Sequence, residues 1–327
     1  MSSAARPRMS VVVPTFNRRD RLHRVLSALA AQDVDEPFEV IVVSDGSTDG
    51  TNDYLRSDAV PLPVVTVAQD NQGPAAARNA GIERASGDLV VFVDDDVVAE
   101  PGLLRAHWEA HGHLGDRVVV IGPMLDPPDH SMSPWVAWEQ AMLAKQYDDM
   151  LDGKYSATAR QFYTGNASVR TEHLAAVGGF DAEFRRAEDI ELAFRLDDLG
   201  LTFHFDPEAR GSHYADRSYD SWKSAAYLYG RNEVIFARDR GRTWIYQFRS
   251  EAFQQHHVAI RWLVRRCTRS VRWRTLTLPT LHTLGTMRQP AVISRAALSC
   301  VYAVELHRGM ADELGSVETF ERLIARR

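Results

Sequence analysis

The first half of the chain alternates short apolar runs with amphipathic segments. Runs of mainly Val, Ile and Leu predict buried strands, and they lie at residues 9–13, 38–43, 64–67 and 89–93. Apolar residues that recur every three or four positions predict a helix at residues 20–32. A proline in the first turn and Gly87 just past the end predict a second helix at residues 74–85. Strands that alternate with helices indicate a mostly parallel sheet covered by helices on both faces.

The pattern changes further along the chain. Strands are predicted at 118–121, 162–169 and 201–205, a helix at 189–199 and a loop at 123–134. Strand patterns end after about residue 218, and the remaining segments have a helical period. The sequence therefore predicts an α/β catalytic domain over residues 1–218, followed by a helical C-terminal extension over 219–327.

Composition narrows the classes of function. The chain has 327 residues, 45% of them hydrophobic, and a formal net charge of −6, which argues against nucleic acid as the partner. Two cysteines cannot form a disulfide framework, and a cytoplasmic location is expected. The N-terminus does not resemble a signal peptide, and no apolar run approaches the length of a membrane span.

Carboxylates follow two of the predicted strands. Asp45 comes at the end of the second strand, where a carboxylate can accept hydrogen bonds from a ligand or form an Asx turn. Asp94, Asp95 and Asp96 directly follow the fourth strand. Adjacent carboxylates repel one another unless a cation neutralises them, and a hard divalent cation does so well. A solvated acidic turn is the alternative.

Two helix starts carry further candidates. Arg78 lies one turn into the helix at 74–85, where it could meet a phosphate or form a structural ion pair. Glu188 and Asp189 open the helix at 189–199. Carboxylates at a helix N-terminus are stabilised by the helix dipole, so capping and general-base catalysis are both open.

Taken together and in order, these segments resemble glycosyltransferase family 2. The resemblance covers residues 9–213 and is carried by the segments 12–18, 44–49, 71–81, 94–96, 178–181 and 188–189. It implies a GT-A fold, a Rossmann-like α/β architecture, and an inverting transfer from a nucleotide-diphospho-sugar, with UDP-sugars favoured. The acceptor would be a hydroxyl of a glycan, a lipid-linked sugar or a small molecule.

The resemblance also implies roles for particular residues. Asp189 would be the catalytic base, and Glu188 would support it. Asp96 would bind Mn²⁺ or Mg²⁺. His213 would complete the metal site, although a surface histidine is the alternative. The donor-binding residues would be Pro14, Thr15, Asp45, Arg78, Asp94, Asp95, Gly165 and Asn166.

Three other histidines, His107, His111 and His113, are interpreted as residues of a helix surface. Two rival functions stay open. A sugar-phosphate nucleotidyltransferase would need a Gly-rich loop after the first strand, and the chain has Pro14-Thr15 there. A non-catalytic module that binds a nucleotide or glycan would not need intact acidic residues.

The basic, Trp-containing segment 261–274 leaves three alternatives open. It could make peripheral contact with the inner face of an anionic membrane, bind an acidic partner, or pack on the catalytic domain with its arginines paired.

Overall fold

The apolar runs of the sequence form a seven-stranded sheet in the computed structural model, which describes residues 6–287 and 291–325. The strands are β1 (Met9–Thr15), β2 (Phe38–Asp45), β3 (Val64–Gln69), β4 (Leu89–Val93), β6 (Val118–Ile121), β8 (Asn166–Arg170) and β9 (Thr202–Phe205). Their spatial order is β3-β2-β1-β4-β8-β6-β9. All run in one direction except β8, which is antiparallel to both of its neighbours.

The central strands are buried on both sides, as their continuous apolar sequences require. Every residue of β4 is buried, and so are the apolar residues of β1 from Met9 to Val13. The helices of this part are α1 (Arg19–Ala30), α2 (Thr51–Leu55), α3 (Pro74–Arg84), α4 (Leu103–Leu114), α6 (Thr171–Ala176) and α7 (Glu188–Asp198). The prediction of a mostly parallel α/β sheet flanked by helices is confirmed.

A second sheet of three short strands was not predicted. It has the order β5-β10-β7, with β5 at Val97–Ala99, β7 at Met124–Leu125 and β10 at Gly211–His213. Strands of two or three residues are too short to leave a periodic signal. β5 begins one residue after Asp96 and pairs with β10 in antiparallel register, so that His213 lies opposite Val97.

The predicted strand at 162–169 is wrong at its start. A 3-10 helix at Ala159–Gln161 precedes it, and the ladder of β8 begins only at Asn166. The carbonyl of Gly165 instead accepts the N–H of Asp94, beyond the end of β4. A Cβ at Gly165 would lie 2.5 Å from the sulfur of Met124, so a larger residue here would require the Met124 side chain to move.

The described chain divides into two units. The first comprises the residues up to His130 together with Met142–Ala215, and the second comprises Ser131–Ala141 with the residues from Asp216 onward. Helix α5 (Pro134–Leu151) therefore contributes to both. The second unit contains α8 (Tyr219–Asp239), α9 (Trp244–Gln255), α10 (Val258–Arg269), α11 (Val271–Gly285), α12 (Ala291–Glu313) and α13 (Val317–Ala325).

Two glycines allow α8 and α12 to pack closely in the second unit. A Cβ at Gly230 of α8 would lie 1.8 Å from the carbonyl oxygen of Leu306. Reciprocally, a Cβ at Gly309 of α12 would lie 1.9 Å from the carbonyl oxygen of Tyr227. Each helix thus packs directly against the backbone of the other, and the pair forms the centre of this helical unit.

We expect Gly230→Ala and Gly309→Ala each to destabilise the protein by about 3 kcal/mol, because the added methyl group must push two backbones apart. Gly112→Ala in α4 is the matched control, since a Cβ there meets no atom within 4 Å and alanine stabilises a helix interior by about 0.5–1 kcal/mol. Urea denaturation followed by circular dichroism measures all three. Unchanged stability in the Gly230 and Gly309 variants would contradict the close packing.

Candidate active site

Three aspartates lie at the carboxyl end of β4, in the centre of the sheet. Their side chains have different environments: that of Asp94 is 34% exposed, and those of Asp95 and Asp96 are 8% and 12% exposed. The hydroxyl of Thr15, at the end of the neighbouring strand β1, donates a 2.8 Å hydrogen bond to Asp95. Burial raises the pKa of Asp95 to about 6, against the opposing charge of Arg18.

Two arginines neutralise this cluster. Nη1 of Arg18 lies 2.9 Å from Oδ1 of Asp95 and 2.6 Å from Oδ2 of Asp96. Arg78, almost fully buried in α3, donates to Asp94 at 2.8 Å. Repulsion between the aspartates is therefore compensated by guanidinium groups of the protein itself, which is neither of the two arrangements expected from the sequence, a metal-bound cluster or a solvated acidic turn.

Arg78 also joins the strand tip to the start of α7. Its Nη1 donates to Oε1 of Glu188 at 2.9 Å, while its Nη2 bonds Asp94. One guanidinium group thus holds the fourth strand and the helix N-terminus together. The structural ion pair that sequence reasoning left open for Arg78 is present.

Asp189 follows Glu188 in the first turn of α7 and is partly buried. Burial, reinforced by the charge of Glu188, raises the pKa of Asp189 to about 7, although Arg78 opposes this shift. The residue before the helix, Ala187, has a φ of 56°, in the left-handed region that non-glycine residues rarely adopt. This strained turn leads directly into the two carboxylates, of which Glu188 bonds Arg78.

The turn that leads to α7 is hydrogen-bonded to α3. The side chain of Asn79 donates to the carbonyl of Phe180 at 2.8 Å and accepts the N–H of Phe180 at 2.7 Å. Gly179 has a φ of 70°, and a Cβ there would lie 2.5 Å from Asn79. The segments 71–81 and 178–181, which are distant in sequence, are therefore in direct contact.

The carboxylate of Asp45 accepts hydrogen bonds from a loop beside the sheet edge. This carboxylate accepts the N–H groups of Gln72 and Gly73 at 2.9 and 2.8 Å and the side-chain amide of Gln69 at 2.8 Å. The Asp45 carboxylate thus fixes the backbone that precedes Arg78. A nucleobase would have to share these acceptor oxygens with the loop.

His213 lies beside Asp96 because the small sheet places it there. The N–H of Tyr214 donates to the carbonyl of Asp96 at 2.8 Å. Nε2 of His213 then lies 3.6 Å from Oδ1 of Asp96. Two metal ligands on one cation stand at a similar separation, since each bond is about 2.0–2.2 Å long.

The donor set fits a divalent cation only in part. Across residues 6–287 and 291–325 no group of three or more His, Cys, Asp or Glu side chains is arranged to hold a metal ion. Asp96 and His213 supply one oxygen and one nitrogen, a set that suits Mn²⁺ better than Mg²⁺. The remaining ligands would have to come from the diphosphate of a donor and from water.

Asn166 is internal, which corrects its assignment to the donor site. Its side-chain amide nitrogen donates to the carbonyls of Pro123 and Ala209, and its oxygen lies 2.9 Å from Nε2 of His107. The side chain is fully buried and has no donor hydrogen left for a sugar. Of Gly165 and Asn166, only Gly165 borders the aspartates. A Cβ on Gly165 would lie 3.2 Å from the carboxylate of Asp94.

Two of the three histidines assigned to a helix surface are also internal. His107 and His111 are buried under β8, where each bonds the hydroxyl of Ser168, and burial lowers the pKa of both. They act as neutral core residues. The sequence contained a signal of this burial, because a spacing of four residues places both histidines on the apolar face of α4. His113 is exposed, as predicted.

A family comparison agrees with this geometry. A sequence model described as glycosyl transferase family 2 matches residues 10–177, just over half of the chain. The chain belongs to glycosyl transferase family 2. The matched residues include the strand tips that carry Thr15, Asp45 and Asp94, while Glu188 and His213 lie beyond them.

Two curated relatives of this family member illustrate the similarity. The validoxylamine A glucosyltransferase of Streptomyces hygroscopicus subsp. jinggangensis is 35% identical over 231 residues, 63% of this chain and 55% of the relative. The uncharacterized glycosyltransferase YfnE of Bacillus subtilis is 30% identical over 242 residues, 59% of this chain and 61% of the relative. The match thus spans little more than half the length of these relatives.

Solved structures show that the family member has the GT-A fold. The mannosyltransferase PcManGT of Pyrobaculum calidifontis, solved in complex with GDP-Man and Mn²⁺, aligns with a TM-score of 0.57 at 21% identity, over 91% of this chain and 86% of that one. TarS of S. aureus aligns with a TM-score of 0.52 at 20% identity, over 94% and 55%.

Sequence reasoning missed Arg18 as a site residue. In the sequence Arg18 stands only at the end of the segment 12–18, yet it contacts two of the three aspartates. The signal was present, because the residues just beyond β1 reach the same sheet edge as those beyond β4. A basic residue at one strand end and acidic residues at the next predict an ion pair across that edge.

Arg18→Gln should lower the unfolding free energy by about 2 kcal/mol, because the nearly buried carboxylates of Asp95 and Asp96 lose their shared cation. Arg19→Gln, which removes the adjacent exposed arginine, is the control and should change stability by less than about 0.5 kcal/mol. Chemical denaturation in the presence of EDTA keeps metal ions out of the comparison. Equal stability of the two variants would show that Arg18 is dispensable.

Proposed function

We propose that this protein transfers a sugar from a nucleotide-diphospho-sugar to an acceptor hydroxyl with inversion of the anomeric centre. One observation carries the proposal: Arg78 bonds both Asp94 and Glu188, so the aspartate cluster and the base candidate Asp189 converge on one edge of the sheet. The proposal is supported because a GT-A enzyme needs a donor site and a base at adjacent places, and the candidates for both lie at this edge.

Asp189 is suited to accept the proton of the acceptor hydroxyl. A base works best when its pKa is near the working pH, and the pKa of Asp189 is about 7. Glu188 contributes to that shift by its charge, and Arg78 keeps the Glu188 carboxylate in place. A single base and a direct displacement give inversion, so an α-linked donor would yield a β-linked product.

Donor binding is assigned to the neighbouring strand ends. Thr15 and Asp95 line one side, Gly165 allows close approach, and a nucleobase would share the acceptor oxygens of Asp45 with the Gln72–Gly73 backbone. Asp94 is the most exposed of the three aspartates, which supports its proposed contact with the ribose. UDP is the favoured nucleotide from the family resemblance, and the GDP-Man complex of PcManGT makes GDP the first competitor.

Asp96 and His213 would hold Mn²⁺, or less favourably Mg²⁺. When bound, such a cation acts as a Lewis acid that stabilises charge on a leaving nucleoside diphosphate. Arg18 lies on the same carboxylate of Asp96, at 2.6 Å, and adds positive charge at this place. The positive charge of Arg18 beside Asp96 supports this proposal, since electrostatic catalysis requires cationic groups where charge would develop on the diphosphate.

A thermal-shift assay tests the binding of the donor and of the metal ion together. We expect one of UDP-, GDP- or dTDP-glucose or mannose to stabilise the protein only when Mn²⁺ is present, by about 2.7 kcal/mol at a hundred times its Kd. Slow donor hydrolysis should accompany binding. Asp96→Ala should lose the Mn²⁺-dependent part of the stabilisation and of the donor hydrolysis. Asp53→Ala, at an exposed site in α2, should retain the Mn²⁺-dependent part of each. Binding without hydrolysis in every condition would favour the non-catalytic module.

The assignment of Asp189 predicts a pH profile. The carboxylate must be deprotonated to act as a base, so kcat/KM should fall as pH drops through about 7 and reach a plateau above it. Asp189→Asn should lower kcat by about 10²–10⁴-fold with little change in donor binding. Asp197→Asn, at an exposed position of the same helix, should keep activity and profile. A profile that falls near pH 4 would contradict the assignment.

A further inference from the structure

One stretch of the second unit is entirely without negative charge. Residues 252–304 contain eight arginines and no aspartate or glutamate. Since the whole chain has a net charge of −6, the rest of the chain carries −14. Such a separation of charge within one chain creates a local positive field that attracts an anionic partner.

Several of these arginines have no carboxylate partner among the residues that the structure describes. Arg269 is paired with Glu321 of α13. Arg266 lies over the ring of Trp262 at 5.7 Å, in a cation–π contact. Arg272 is exposed, and neither it nor Arg274 has an ion pair within 6–287 and 291–325. The positive charge of this stretch therefore remains available to an external anion.

Large apolar side chains are exposed on the same two helices. Trp262 of α10 and Trp273 of α11 are 48% and 44% exposed, and their rings meet edge to face with centroids 5.6 Å apart. Other exposed residues extend this surface along both helices: Val258 at 62%, Val271 at 62% and Leu276 at 73%. We call the surface formed by Val258, Trp262, Arg266, Val271, Arg272, Trp273 and Leu276 the α10–α11 face.

We propose that the α10–α11 face binds the surface of an anionic lipid bilayer. Tryptophan rings prefer the boundary between headgroups and acyl chains, arginines pair with anionic headgroups, and aliphatic side chains enter the acyl region. The face presents all three chemistries within two consecutive helices. Binding is peripheral, since none of the helices in the described ranges is both long and apolar enough to traverse a bilayer.

The apolar residues distinguish a lipid surface from a water-soluble polyanion. A polyanion would be attracted by Arg272 and its neighbours but would gain nothing from an exposed Leu276. Leaving Val258, Val271 and Leu276 in water has no benefit for a surface that only binds phosphate groups. The combination therefore favours an interface with an apolar layer beneath the charge. This contact does not depend on the proposed sugar transfer.

Sedimentation with vesicles tests the contact. The full chain should bind vesicles of equal parts phosphatidylglycerol and phosphatidylcholine and should not bind pure phosphatidylcholine. Arg272→Gln with Arg274→Gln should weaken binding about thirtyfold, because each basic residue near an anionic surface contributes a factor of about five. Arg56→Gln with Arg84→Gln, which removes the same charge from exposed sites of the first unit, is the matched control and should bind as the parent does.

The apolar part of the face is tested separately. Leu276→Glu and the double variant Trp262→Ser/Trp273→Ser should each weaken vesicle binding at least about tenfold. Circular dichroism identifies a variant that fails to fold, and Leu276→Glu, at a 73% exposed site, then remains decisive. Leu114→Glu, at a 49% exposed site of α4, is the matched control.

Three results would overturn the proposal. They are absence of binding to the anionic vesicles, apolar variants that bind as well as the parent, and equal loss of binding in the control variants. Apolar variants that still bind, together with tight binding to heparin, would identify a soluble polyanion as the partner instead. Donor hydrolysis measured without vesicles keeps the proposed function separate, because the α10–α11 variants should hydrolyse donor at the parent rate.

Discussion

Three adjacent carboxylates at the end of an apolar strand set the constraint around which the first unit is arranged. Burying them without compensation would be costly, since like charges at this distance raise one another's pKa and favour the neutral form. The chain meets the constraint with Arg18 from beyond β1 and Arg78 from α3. Because Arg78 also bonds Glu188, neutralising the strand tip at the same time fixes the start of α7. The candidate base is therefore positioned by the same ion pairs that make the aspartate cluster tolerable.

Much of this arrangement could be predicted from the sequence, because it depends on patterns within short segments of the chain. Strands β1, β2 and β4 are continuous apolar runs, and the rule that ligands bind at the carboxyl ends of parallel strands places Thr15, Asp45 and Asp94 at one edge. What could not be predicted depends on contacts between distant segments. The length of a strand of three residues, such as β10, is decided by its partners, so the pairing that brings His213 to Asp96 leaves no periodic signal. Burial of Asn166 and His107 depends on their mutual hydrogen bond across 59 residues.

Strained backbone conformations lie directly before residues of the candidate site. Among non-glycine residues that the structure describes, left-handed φ values occur at Asn17 and Ala187. The first directly precedes Arg18, and the second directly precedes Glu188. Such residues cost of order 1–3 kcal/mol each and persist only where surrounding contacts fix them. The side chain of Asn17 accepts the N–H of Thr48 at 2.7 Å, which supplies one such contact. The fold thus maintains two unfavourable turns, one directly before a cation that bonds Asp95 and Asp96 and one directly before a carboxylate that bonds Arg78.

The position of Arg18 also bears on how a metal ion and a donor would bind. Asp96 and His213 are two ligands, fewer than a divalent cation needs, and the guanidinium of Arg18 already lies on the Asp96 carboxylate. A free cation would meet both a shortage of ligands and a repelling charge. A diphosphate would change both conditions, because its oxygens would supply further ligands and its negative charge would pair with Arg18. Binding of the donor and of the metal ion would then be linked, each raising the affinity for the other by the same factor. Arg18 would then stabilise the aspartate cluster by itself and make metal binding conditional on the donor.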